Sequence, residues 1–231
     1  MGTRGPKPKR REVVWSPELA YAIGLIATDG CLSKDGRHLD FTSKDKDQIL
    51  ALMRCLHLEH LKIGLKNRGQ PNEAFRVQWG SVLFYTFLLD IGLMPNKSKV
   101  LGALNVPDEY FFDFLRGHFD GDGSFYSYYD PRWKNSFMFY LTFLSASAEH
   151  IRWLRESIQR LGGVRGHISL SGKQGHKMSS LRYAKKEALR LLVRLYPNKK
   201  TICLRRKRLK IERALGIVGE SLPGNGKRLT M

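Results

Sequence analysis

The chain has 231 residues, 42% of them hydrophobic, which excludes general disorder and leaves room for one large domain or two small ones. Lys and Arg number 40 against 21 Asp and Glu, a formal net charge of +19. That imbalance points to a polyanionic partner, with nucleic acid ahead of an acidic membrane surface and a plainly charged surface behind both.

Three cysteines, Cys31, Cys55 and Cys203, cannot build a disulfide framework, and no CxxC pair supports a structural zinc site. The longest apolar run, Val82 to Leu89, is too short to span a bilayer. The basic N-terminus is not followed by a hydrophobic signal core. The expectation is an intracellular protein (cytoplasm, nucleoid or organelle matrix), neither secreted nor membrane-bound.

Residues 1–13 read as a flexible basic arm. Ser16-Pro17-Glu18 then starts a helix, with a capping hydroxyl, proline at the first helical position and an acid behind it. That helix is expected to reach Asp29 and stop at Gly30. Pro107-Asp108-Glu109 opens a second such helix, closed by Gly123. Further helical patterns fall at 45–58, 81–91, 148–161 and 185–196. Strand-like alternation appears at Phe75, Val77 and Trp79, and again at Val164, Gly166, Ile168 and Leu170. Each half reads α-β-β-α-β-β-α, and residues 221–231 read as a flexible tail.

The two halves repeat. Ile23 to Gly30 echoes Arg116 to Gly123, with Asp29 and Asp122 in register 93 positions apart (122 − 29). Phe41-Thr42-Ser43 is matched by Phe143-Leu144-Ser145, and Pro95-Asn96-Lys97 by Pro197-Asn198-Lys199, both at an offset of 102 (143 − 41 and 197 − 95). The second half therefore carries about nine extra residues between its motif helix and its second strand. Repeats of this length are not solenoid units and imply two pseudo-symmetric halves, 14–105 and 106–220.

Small residues recur four apart on both motif helices, at Ala20, Gly24 and Thr28 and at Gly117 and Gly121. Such stripes let two helices pack backbone to backbone. That packing would bring Asp29 and Asp122 together at the negative ends of two helix dipoles, a costly place for two carboxylates unless a cation intervenes. Mg²⁺, held by one or two carboxylates with water and substrate phosphate, suits such a site. A plain helix-stop turn is the alternative reading for either Asp-Gly alone.

These two stretches resemble the motif of the LAGLIDADG homing endonucleases. Ala22 to Gly30 matches its letters at Gly24, Leu25, Ile26, Asp29 and Gly30; Leu115 to Gly123 matches at Leu115, Gly117, Asp120, Asp122 and Gly123. The resemblance covers residues 14–215 and looks like the single-chain, two-motif branch. It implies an α+β fold of two αββαββα halves, with the motif helices at the centre and antiparallel sheets forming a saddle over double-stranded DNA. It implies a site-specific, Mg²⁺- or Mn²⁺-dependent endonuclease that acts as a monomer on a long asymmetric site and leaves 3′ overhangs, with Ca²⁺ binding but not supporting cleavage. Asp29 and Asp122 would hold metal, and Thr28 and Gly121 could add backbone carbonyls. Asp120 reads as structural, because the first copy has Ala27 there.

Lys97 and Lys199 recur in register after Pro-Asn and are the candidate catalytic cations; Lys44 and Lys99 are weaker ones. Candidate DNA contacts are Arg37, Lys66, Arg68, Arg76 and Gln78 in the first half, and Tyr126, Arg132, Lys134, Arg165, His167, Lys177 and Arg182 in the second. The run Arg205 to Arg208 reads equally as a phosphate contact or an exposed helix face. Three alternatives stay open. One is a non-cleaving nucleic-acid-binding protein of the same fold, either an intron RNA maturase or a DNA-binding regulator. The others are an intein-borne nuclease, for which no splicing junction is visible, and a peripheral membrane protein held by the basic arm.

Overall fold

A computed structural model describes residues 12–133, 135–172 and 177–224. Residues 1–11 of the basic arm, 225–231 of the tail and the candidate contact Lys134 lie outside the described residues.

The first half runs α1 (Pro17–Asp29), β1 (Gly30–Leu32), β2 (His38–Ser43), α2 (Lys46–Cys55), β3 (Gly64–Lys66), β4 (Ala74–Gly80) and α3 (Val82–Asp90). The second runs α4 (Phe111–Asp122), β5 (Ser124–Tyr129), β6 (Phe137–Ser145), α5 (Ala148–Gly162), β7 (His167–Ser171), β8 (Met178–Ala184) and α6 (Lys185–Leu195). A further helix, α7 (Arg205–Ile217), lies beyond the expected αββαββα pattern. The architecture is α+β, with two antiparallel four-stranded sheets of the same order, β1-β2-β4-β3 and β5-β6-β8-β7.

Local chemistry explains most boundaries. The Ser16 hydroxyl accepts the Leu19 N–H at the start of α1, and the Gly30 N–H donates to Ile26 at its end. Side chains of Asp45, Ser81 and Ser147 cap α2, α3 and α5 in the same way. Helix α2 stops short of its apolar pattern because His57 takes a left-handed conformation, at φ 54°. Pro107 does not open α4 directly. Asp108–Tyr110 forms a 3-10 turn first, and α4 begins at Phe111 without a side-chain cap.

The alternation read at 164–170 does not sort inside from outside. Strand β7 begins only at His167, after Gly166 at φ +64°, and Leu170 is 66% exposed. The physical reason is that β7 is an edge strand, paired on one side only.

The nine extra residues of the second half lie in its first hairpin. Strands β5 and β6 have 6 and 9 residues, where β1 and β2 have 3 and 6. This lengthening carries Tyr128 and Tyr129 outward beyond the span that β1 covers.

Helix α1 is buried from Leu19 through Ala27, as a helix enclosed on all sides should be. It lies against α4, which is buried over Phe114–Asp120. One contiguous core joins both helices to the inner faces of the two sheets, which α2, α5 and α6 cover. The helix pair is close because it lacks side chains at the crossing. A Cβ at Gly24 would overlap the Phe114 carbonyl and stand 2.9 Å from Gly117 Cα. One at Gly117 would overlap the Tyr21 carbonyl, and one at Gly121 the Thr28 hydroxyl. Backbone cannot yield there as a flexible side chain could.

Candidate active site at the ends of the paired helices

The crossing brings the ends of α1 and α4 together. Gly121 sits against Thr28, and Asp29 Oδ2 comes within 3.0 Å of where a Gly121 Cβ would stand. Thr28 itself turns back, its hydroxyl donating to Leu25 O at 2.8 Å and to Asp29 Oδ2 at 3.4 Å. Burial, and then the neighbouring Asp122 charge, push the Asp29 carboxyl up to about 6, against the pull of hydrogen bonds from Gln48 and Thr28. Burial also raises Asp122, while Lys207 and Lys97 oppose the rise. The two acids therefore feel one another in a partly desolvated site.

Two buried lysines answer them. Lys97 Nζ donates to Gly30 O at the end of α1. Lys207 Nζ donates to Gly123 O at 2.6 Å, to Phe119 O at 2.5 Å, to Asp120 O at 2.9 Å and to Gly121 O at 3.2 Å. A cation at a helix C-terminus meets the negative end of the dipole and satisfies carbonyls that have no partner within the helix. Burial lowers both lysines, Lys207 to about 8, while Asp29 and Asp122 act in the other direction.

The equivalent of Lys97 in the second half is thus Lys207, not Lys199. Lys199 is exposed in the turn before α7, with its backbone carbonyl held by Arg208. The sequence repeat stops there, and α7 reaches back to supply the cation instead. The basic run divides accordingly: Lys207 and Arg208 are buried, Arg205 and Arg206 exposed. Of the weaker candidates, Lys99 stands exposed in the 3-10 turn Lys97–Lys99.

Gln48 is the other residue that the sequence reading missed. Its Nε2 donates to Asp29 Oδ2 at 3.1 Å, and its Oε1 accepts from the Ser43 hydroxyl at 2.6 Å. The repeat places His150 opposite it, at the same offset of 102 (150 − 48). His150 turns inward, bonded to Gly102 O at 2.9 Å and stacked on His118 with ring centroids 5.2 Å apart. The two acids therefore have unequal surroundings.

Asp120 is structural. It is fully buried, and its Oδ2 accepts from the Tyr21 hydroxyl at 2.8 Å and from Leu204 N at 2.6 Å. Arg116 fastens the same segment, donating to Leu195 O at 3.0 Å and to Ile202 O at 2.7 Å. Together they fix the entry to α7 and hence the position of Lys207.

The candidate DNA contacts form two groups. Arg76, Gln78 and Lys66 share the open face of the first sheet, and Tyr126, Arg182 and His167 that of the second, because residues paired directly across strands share a face. Arg37, Arg68, Arg132, Arg165 and Lys177 lie exposed in turns or at strand ends. Arg132 is already paired with Asp130, at 3.0 Å.

Among the described residues, no group of three or more His, Cys, Asp and Glu is placed to enclose a metal ion. The two raised carboxylates at the helix ends are oxygen donors that fit a hard cation completing its shell with water and phosphate, whereas the Gly121 carbonyl expected as a further donor already accepts from Lys207. Among the described residues, no helix is long and apolar enough to cross a membrane.

No protein-family model matches the chain, and no curated protein matches it. Solved structures match in fold. The meganuclease I-SmaMI bound to uncleaveable DNA aligns with a TM-score of 0.56 at 15% identity, over 89% of this chain and 93% of that one. The LAGLIDADG homing endonuclease I-LtrWI bound to target DNA gives 0.52 at 14% identity, over 84% and 87%. Full-length DUF199/WhiA from Thermatoga maritima gives 0.55 at 15% identity over 95% of this chain, which spans only 64% of that protein's length. The chain thus has the LAGLIDADG fold in its single-chain, two-motif form. At these identities the likeness concerns fold, and it extends both to structures named as nucleases and to DUF199/WhiA.

Proposed function

We propose that this protein is a site-specific, metal-dependent endonuclease that cuts both strands of a long asymmetric DNA site as a monomer, leaving 3′ overhangs. The observation that carries the reading is the meeting of Asp29 and Asp122 at the ends of two helices packed through glycines, each end bound by a buried lysine. A helix pair needed only for packing gains nothing from two carboxylates, one half-buried and one exposed, at its negative poles.

Asp29 and Asp122 would hold Mg²⁺ or Mn²⁺, with Thr28 as a backbone donor and Ca²⁺ as a binding but non-supporting ion; the Gly121 carbonyl would serve only if Lys207, from which it already accepts, moved aside. Such a cation would supply Lewis acidity at the phosphate and a more acidic water. Gln48 orients Asp29 by its amide, and Lys97 and Lys207 hold positive charge beside both acids. These groups are set before substrate arrives and can offset charge developing on a phosphate. The halves 14–105 and 106–220 would each cover one side of the target with an open sheet face. The net charge of +19 supplies the phosphate affinity.

A second reading, DNA binding without cleavage, is favoured by the likeness to DUF199/WhiA. Digestion of a randomised duplex library with Mg²⁺, followed by sequencing of new ends, separates the two. Discrete ends at one motif, absent from an Asp29→Asn, Asp122→Asn double variant, support the nuclease. Enrichment of a bound sequence in Ca²⁺ with no ends in Mg²⁺ supports binding alone.

A further inference from the structure

The two open sheet faces are built alike in backbone and differ in chemistry. Phe41 faces Val77 in the first sheet, and Phe143 faces Leu181 at the same place in the second. Counting from these buried pairs, Asp40 corresponds to Thr142, Gln78 to Arg182 and Arg76 to Ser180. In the first sheet, Arg76 donates to Asp40 through Nε, and its Nη2 pairs with the same carboxylate. The Thr42 hydroxyl donates to the other Asp40 oxygen at 2.9 Å. Asp40 is thereby committed within the protein, with a side chain 14% exposed, while the Arg76 side chain is 35% exposed. A guanidinium pinned along one edge keeps its remaining N–H groups in a fixed direction, at little entropic cost on binding.

The second sheet has no such pair at the matching positions. Thr142 is buried, and the Ser180 hydroxyl is bonded to that of Ser169 at 2.8 Å. Its longer hairpin carries tyrosines instead. Tyr126 and Tyr128 lie 5.4 Å apart, Tyr128 stacks on Tyr140 at 6.3 Å, and the Arg182 guanidinium lies over the Tyr140 ring at 5.5 Å. Met138 pairs with Tyr128, and Ala184 with Tyr140, on the same face.

We infer that Arg76, held by Asp40, reads a guanine in one half-site of double-stranded DNA, with no guanine required at the mirrored position, and that the tyrosine hairpin selects thymines through their methyl groups in the other half. In the major groove a fixed arginine matches guanine O6 and N7, while thymine alone offers a methyl to apolar groups. The inference rests on the DNA-recognition part of the proposed function and not on cleavage.

The test is selection of bound duplexes from a randomised library by the full chain in Ca²⁺. The wild type is expected to select a G·C pair on one side of the centre, no G·C requirement at the mirrored position, and thymines beyond it. Arg76→Ala should lower the guanine preference roughly tenfold or more while leaving the other half-site unchanged. Arg76→Lys keeps the charge and the fold but loses the paired geometry, and should lower it as well; Tyr126→Ala should relax only the thymine half. The same base at both mirrored positions, or an unchanged motif with Arg76→Lys and Arg76→Ala, would overturn the inference alone. Failure of the wild type to enrich any sequence would overturn the DNA-recognition reading too.

Discussion

Lys97 and Lys207 perform one task at the neighbouring ends of two helices: each buries its ammonium against the carbonyl of the glycine that closes a central helix, Gly30 for the first and Gly123 for the second. They come from unrelated places in the repeat, a turn after α3 and the helix α7. The pseudo-symmetry of the site is thus one of charge placement and not of sequence.

This equivalence predicts the effect of removing each lysine. Lys97→Met and Lys207→Met should each lower cleavage by about a hundredfold, the usual cost of one electrostatic stabiliser, while binding in Ca²⁺ persists. Lys199→Met should cut at close to the wild-type rate, because its side chain is exposed in a turn. Rates on one duplex for the three variants, with circular dichroism to check folding, measure this.

The surroundings of the two acids predict unequal strand cleavage. Gln48 bonds Asp29, but its repeat partner His150 is turned into the core. Gln48→Ala should slow one strand more than the other, so that nicked circular plasmid accumulates beyond the wild-type level. Equal slowing of both strands would remove Gln48 from a role at one acid only.

The helix crossing predicts a sharp contrast among glycines. Gly24→Ala and Gly117→Ala force a Cβ into backbone and should cost about 1–3 kcal/mol or more, read as a fall in Tm. Gly216→Ala, in α7 with open space around it, should be neutral or stabilise by roughly 0.5–1 kcal/mol.

Much of this was legible in the sequence, for particular reasons. Ser16-Pro17-Glu18 is a local signal, and local signals survive tertiary context. The glycine stripe and paired Asp-Gly were visible because they recur. Recurrence also has a limit: it points to Lys199, which repeats Lys97 and stands exposed, while the lysine buried at the end of α4 is Lys207, which repeats nothing, and it gives no weight to Gln48, whose counterpart is a histidine. Strand β7 was misjudged because an edge strand need not bury the apolar side of its alternation. The role of α7 depends on a long-range path through Asp120 and Arg116, which no short window of sequence contains.

The stacked pair His118 and His150 predicts acid lability. Burial holds His118 well below its ordinary range and His150 down to about 4. Both stay neutral in the fold, while in the unfolded chain each takes up a proton near pH 6.5. The unfolded state then binds more protons, so stability falls as pH drops from about 6.5 towards 4. The slope is up to about 1.4 kcal/mol per pH unit for each histidine. Urea unfolding across that range should show the loss, and His118→Phe should flatten it.

The central claim is that Asp29 and Asp122 jointly make a double-strand break. Its most direct test uses a target duplex labelled on both strands, with wild type, Asp29→Asn and Asp122→Asn compared in Mg²⁺ for cleavage and in Ca²⁺ for binding. The account predicts that the wild type cuts both strands, and that each variant binds yet makes no double-strand break. A variant of either acid that still cuts both strands at the wild-type rate would contradict it.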